Sequence, residues 1–204
     1  MKAQHLSLSC EHFTPPEVID LVREVMKDID LDPATCRLAN EAVVGASCYM
    51  DQACNGLGRK WSGRVFVNPP GGKCDPTGIP LHRRDGEQGY FYPDGSRCRG
   101  ASLSSLKTWW EKFVLEGAEK RMREGVFLGF TLEILQSTQL CATPAASFPV
   151  CIPKKRIPFL SEVDGQLVPG KQPTHANALI YYGPNGDRFA RVFRQLGAVM
   201  QPTS

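Results

Sequence analysis

Arg64-Val65-Phe66-Val67-Asn68-Pro69-Pro70-Gly71 is a short apolar run that stops on an asparagine and two prolines. Valine and phenylalanine suit a pleated backbone, while two successive prolines offer no N–H to a ladder and end it. The pattern predicts a strand over 64–67 that delivers Asn68 to its carboxyl end. Upstream, Ile29-Asp30-Leu31-Asp32-Pro33-Ala34 alternates and is likewise closed by a proline, which predicts a second short strand with Asp32 at its carboxyl edge. If the two strands run parallel, Asp32 and Asn68 share the edge at which open α/β sheets bind ligands.

Working outward, Thr14-Pro15-Pro16-Glu17 has capping-box spacing and predicts a helix from Pro15. Val18, Leu21, Val22, Val25 and Ile29 give that helix one apolar face. Residues 1–12 are polar and unpatterned and read as a flexible N-terminal arm. Residues 35–63 read as a connection. Between about 72 and 101, glycines, prolines, charges and the trio Tyr90-Phe91-Tyr92 predict a long inserted loop beside the Asn68 edge, either a lid or binding element or a mobile insertion. From Ser102 to about Glu124 the pattern is helical, with Leu106, Trp109, Trp110, Phe113, Val114 and Ala118 on one face. A Gly125 break and a strand from Val126 to Leu132 come next. The last third predicts strands over Pro149–Ile152, Ile157–Leu160, Ala176–Tyr182 and Phe189–Phe193, with antiparallel closure of the sheet. Alternating strands and helices argue for a three-layer α/β fold, and 204 residues with 42% hydrophobic content suit a single domain over 13–204.

Twenty-four basic against 21 acidic residues, a formal charge of +3, is compatible with a polyanionic partner but too even to point to one. No leader pattern is evident and runs such as Val126–Phe130 are too short to cross a bilayer, so a soluble cytoplasmic protein without membrane contact is expected. The eight cysteines are expected to be reduced thiols packed as small apolar residues. They form no C-x-x-C pair, and Cys74, His82 and Cys98 are spaced irregularly, so no metal site is expected.

The side-chain oxygen of Asn68 and the carbonyl of Pro69 are two acceptors on a backbone stiffened by Pro69 and Pro70. Such a pair can hold the hydrogens of an exocyclic amine and favour its pyramidal, nucleophilic form. Asn-Pro is also a frequent turn former, so the tetrapeptide alone leaves both readings open. Its companions narrow them. Phe13-Thr14-Pro15, Asp30 to Ala34, Gly56-Leu57 with Trp61-Ser62-Gly63, and Arg64 to Pro70 together, in order and spacing, resemble the phage-encoded N6-adenine DNA methyltransferases, the Dam-like family of prophages. The likeness is strongest over 13–70 and weaker from Ser102 onward, where Trp109-Trp110, Ile157-Pro158-Phe159 and Ala178 to Gly183 follow in the expected sequence.

The resemblance implies a class I, Rossmann-like methyltransferase fold with a mixed, mainly parallel sheet, S-adenosyl-L-methionine as cofactor and DNA as partner. It further implies a bacterial host cytoplasm and a role in evading restriction. It assigns amine activation to Asn68, Pro69 and Pro70. Phe13, Thr14 and Pro15 would lie near the methionine end of the cofactor, with Asp30, Asp32, Pro33, Ala34 and Asn68 completing its site. At 71 the family carries an aromatic ring that stacks on a base flipped from the duplex, and this chain carries Gly71. Tyr90, Phe91, Tyr92 or Trp109 could supply the ring; the substrate could instead be a different or premodified base; or the domain could bind without catalysing. Lys154-Lys155-Arg156 and Arg83-Arg84, with Arg97 and Arg99, are the cations suited to phosphates.

Overall fold

The computed structural model describes residues 12–51, 53–70, 75, 79, 81–82, 84, 86–98, 105–136, 143–170 and 175–202. Strand β3 (Gly63–Val67) pairs in parallel with β1 (Leu31–Asp32) on one side and with β4 (Met122–Gly129), the middle strand of the sheet, on the other. β2 (Cys48–Tyr49) extends this parallel run beyond β1. Past β4 the direction alternates through β8 (Ala178–Tyr182), β5 (Val150–Pro153) and β9 (Gly197–Met200), each antiparallel to its neighbour. The seven strands lie in the order β2-β1-β3-β4-β8-β5-β9, a mixed α/β sheet compatible with a Rossmann-like fold. A separate hairpin pairs β6 (Leu160–Val163) with β7 (Gln166–Pro169).

Both faces of the sheet are covered, and strand alternation decides which side chain goes where. Phe66, Val126, Leu128, Leu179 and Tyr181 join α1 (Pro16–Met26) and α4 (Gly186–Phe193) in one core. Val65, Val67, Phe127, Ala178 and Ile180 join α3 (Leu106–Ala118) in the other. The α3 side is built on rings: Trp110 meets Phe127 edge-on at 5.3 Å between centroids and lies 5.5 Å from Phe113. Two of the three buried indoles donate to main-chain carbonyls, Trp61 Nε1 to Gly56 at 2.8 Å and Trp110 Nε1 to Thr143 at 2.7 Å. No described helix is long and apolar enough to cross a membrane.

Several expectations are corrected. α1 begins at Pro16 with Pro15 as its extended cap (ψ 153°), and Thr14 does not cap it. The reason is steric, because a residue that precedes proline is driven out of the helical region, which excludes both Thr14 and Pro15. Gly125 lies inside β4 rather than breaking the chain before it. A Cβ there would lie 2.8 Å from both the Met122 sulfur and the Phe113 ring, so the glycine permits close packing of α3 on the sheet. Phe189–Phe193 is the end of α4, not a strand. Phe189, Ala190, Val192 and Phe193 recur at three- and four-residue spacing, and that period outweighs their β propensity. The expected strand over 157–160 contributes only Leu160, to the β6–β7 hairpin. The 35–63 connection contains α2 (Arg37–Ala39), a wider helical turn over Asn40–Val44, and β2. Cys151 is buried as expected, but Cys48 and Cys54 are exposed; all are free thiols.

The loop after β1 and the segment before β3 touch at Gly56, where a Cβ would lie 1.9 Å from the Pro33 carbonyl oxygen. Gly56→Ala must displace one of two backbones, and is expected to lower stability by about 1–3 kcal/mol. The check is a reduced urea midpoint at unchanged slope.

Candidate active site

Because β1 and β3 are adjacent and parallel, Asp32 and Asn68 do emerge at one carboxyl edge. β5 runs antiparallel to β8, and β8 antiparallel to β4, so β5 points the same way as β3. Its carboxyl end therefore brings Lys154, Lys155 and Arg156, all exposed, to the same edge. Asp30 does not belong with them. Its carboxylate accepts from Arg64 Nε at 2.9 Å and Nη2 at 2.6 Å, and from the Arg64 main-chain N–H at 2.8 Å. The Arg64 bonds hold Asp30 below the usual carboxylate range. Arg64 is at the entry to β3, roughly 13 Å of strand from Asn68, so the structure ties the Asp30 carboxylate to Arg64 at the opposite end of that strand.

The segment preceding α1 closes over Asn68. Phe13 and Leu160 exchange two main-chain hydrogen bonds, at 2.9 and 2.7 Å, which clip the chain to β6. One residue earlier, the His12 carbonyl accepts from Asn68 Nδ2 at 2.5 Å. With its nitrogen so engaged, the amide retains Oδ1 as an acceptor. Pro69, next in the chain, is buried. Phe13 and Pro15 are buried too, and Thr14, 3% exposed, has an Oγ1 with no hydrogen-bond partner among the described residues. A buried hydroxyl without a partner is costly, and Thr14 follows by two residues the carbonyl that holds Asn68. The His12 imidazole is exposed to solvent and 6.1 Å from the Phe159 ring; partial burial lowers its pKa from the ordinary histidine value.

Asp32 is the second costly group. It is 2% exposed, and burial pushes its carboxyl up to about 7, opposed by one hydrogen bond from the Ala34 N–H, 3.0 Å from Oδ1. A bound cation or hydroxyl donor would favour the ionised form. Perturbed, buried carboxyls at a sheet edge are characteristic of functional positions.

The rings proposed to replace the one missing at 71 are mostly committed elsewhere. Trp109 is buried and stacked on Trp61 at 6.1 Å, within the α3 core. Phe91 is buried inside the inserted loop, pairing with the main chain of His82 and covered by the Arg84 guanidinium at 4.7 Å. Tyr92 donates its hydroxyl to Asp75 at 3.2 Å. Tyr90 is half-buried in the same loop. Trp109, Phe91 and Tyr92 thus each have a packing or hydrogen-bond partner away from Asn68. Gly71, Cys74, Arg83, Arg99 and Cys141 lie outside the described residues.

Sequence reasoning overlooked His12, which it assigned to the arm, and Phe159. The available signal was position, since His12 directly precedes Phe13-Thr14-Pro15. Among the described residues, no cluster of three His, Cys, Asp or Glu side chains could hold a metal ion. Compared with family models, curated proteins and solved structures, the chain finds no match in any of the three.

A free aspartate titrates near ~3.9 and Asp32 in the folded chain at about 7. Between those values the folded state keeps a proton that the unfolded state has lost, so stability falls as pH rises through the window. Asp32→Asn retains an acceptor for the Ala34 N–H and removes the charge. It is expected to melt several degrees above wild type at pH 8 and level with it at pH 4 by scanning calorimetry. Equal melting temperatures at pH 8 would dispose of the buried-charge account.

Proposed function

We propose that this chain is an S-adenosyl-L-methionine-dependent amino-methyltransferase that acts on adenine N6 in DNA. The observation that carries the reading is the hydrogen bond from Asn68 Nδ2 to the His12 carbonyl, at the carboxyl edge of a parallel strand pair. It orients a neutral acceptor, Oδ1, on a proline-stiffened turn. Adenine N6 is a weak nucleophile because its lone pair is delocalised into the ring. Asn68 Oδ1 and the Pro69 carbonyl would each accept one amine hydrogen, which localises the lone pair and aims it.

S-adenosyl-L-methionine would supply a methyl group on a sulfonium centre. The residues at this edge suit it: Asn68 is uncharged beside a cation, the Asp32 carboxylate can receive an ammonium or hydroxyl, and the Thr14 hydroxyl lacks a partner among the described residues. In the transfer, Asn68 Oδ1 and the Pro69 carbonyl would hold the amine hydrogens, one of which would pass to water while the carbon–sulfur electron pair stayed with sulfur. Lys154 and Lys155 are exposed and suited to neutralising phosphates of the DNA. A phage or prophage setting, with modification protecting DNA from restriction, follows from the resemblance of residues 13–70 described above.

Gly71 favours a second reading, transfer to a different or premodified base that occupies the volume of the absent ring. Transfer of labelled methyl to unmodified DNA, followed by nucleoside analysis, separates the two. N6-methyladenine is expected, and Asn68→Ala is expected to lower its formation by at least ~10²-fold, with DNA affinity within a few-fold of wild type. Cofactor binding without any methylated base would count against adenine as substrate. For the cations, Lys154→Ala and Lys155→Ala should each weaken binding across sequences and reduce the salt slope of log K by about 1.

A further inference from the structure

The fourth residue of the usual tetrapeptide is a ring that covers the substrate base, and this chain carries Gly71, which has no side chain to do so. Among the described aromatic and imidazole groups at this edge and in the neighbouring loop, Phe13 and Phe159 are buried, Phe130 packs into the α3-side core, and Tyr49, which ends β2 opposite Asp32, and Tyr90 are half-buried. Trp109, Phe91 and Tyr92 are engaged as described. His12 differs in two respects. Its ring is exposed, and its own carbonyl is bonded to the Asn68 amide, so the imidazole is carried by a residue in direct contact with the proposed acceptor. The Phe159 ring, 6.1 Å away at an interplanar angle of 47°, backs it. The Phe13–Leu160 bridge fixes the main chain immediately after it.

We propose that the His12 imidazole, supported by Phe159, is the ring that stacks on the unpaired nucleobase presented to Asn68. This deepens the methyltransferase reading and rests on it. The stacking surface then comes from the strap in front of α1 instead of from the turn after β3. A ring on a strap held by two main-chain hydrogen bonds is preorganised, and stacking of this kind tolerates any base with a π face. Substrate choice would then be left to the acceptors of Asn68 and Pro69.

The test compares wild type, His12→Ala and His12→Phe in methyl transfer from labelled S-adenosyl-L-methionine to unmodified DNA. Alanine keeps the main-chain carbonyl that holds Asn68 and removes only the ring. His12→Ala is expected to lower kcat/KM for DNA roughly 10- to 100-fold, with the KM for the methyl donor and the melting temperature unchanged, and His12→Phe is expected to recover to within a few-fold of wild type. Two results would overturn the proposal while leaving the methyltransferase reading intact: activity in His12→Ala equal to wild type, or a His12→Phe variant as poor as alanine. A wild-type protein that binds the methyl donor and methylates no base would overturn both.

Discussion

The parallel pairing of β1 with β3 sets the level at which every residue of the site emerges, and Arg64 fastens it. The guanidinium grips Asp30 with two donors while the two main chains exchange a further hydrogen bond, Asp30 N–H to the Arg64 carbonyl at 2.8 Å. Arg64 also meets Asp28 at 3.0 Å. A two-pronged, partly buried pair holds geometry as well as contributing energy, which matters because β1 has only two residues. A strand that short has few ladder bonds to define its register. A slip of one residue would turn Asp32 to the other face of the sheet, away from the edge it now shares with Asn68.

How much of this could be read from the amino-acid string follows from how local each cause is. Proline termination is local, so the ends of β1 and β3 and the delivery of Asp32 and Asn68 to one edge were legible. The apolar periods of α1 and α3 were equally plain. The pairing of Asp30 with Arg64 was not legible because its partner lies 34 positions away, and an alternating Asp-Leu-Asp gives no sign that one carboxylate is tied to an arginine and the other buried with a single main-chain donor. Trp109, Phe91 and Tyr92 were offered as stacking rings on residue type alone; what decides their role is packing against Trp61, Arg84 and Asp75. α4 was read as a strand because phenylalanine and valine favour both states when buried, and its eight residues span barely two turns.

The site is assembled from groups that stability alone would not select. Asp32 is held where its charge is disfavoured, and the Thr14 hydroxyl is buried without a partner among the described residues. Around them the structure is well satisfied: the indoles of Trp61 and Trp110, and the phenol of Tyr181 donating to Glu124 at 2.8 Å, all have partners. Unfavourable polar burial at this sheet edge, in a fold whose other described elements are consistent from local propensity to packing, is a pattern expected of a functional site. A ligand that supplies the absent partners recovers part of the cost on binding, so binding and folding are coupled through the same two side chains.

The amide at position 68 is itself constrained by the strap. Oδ1 alone could have been supplied by an aspartate, whose carboxylate is an acceptor on both oxygens. The His12 carbonyl is also an acceptor, and at 2.5 Å from the side-chain nitrogen it requires a donor. A carboxylate there would oppose two oxygens at hydrogen-bond distance and repel the segment that carries Thr14 and Phe13. Asparagine meets both demands, giving a donor to the strap and an acceptor to the edge, while staying neutral. The closure of residues 12–15 over the sheet and the identity of residue 68 are thus one structural decision, and neither can change without the other.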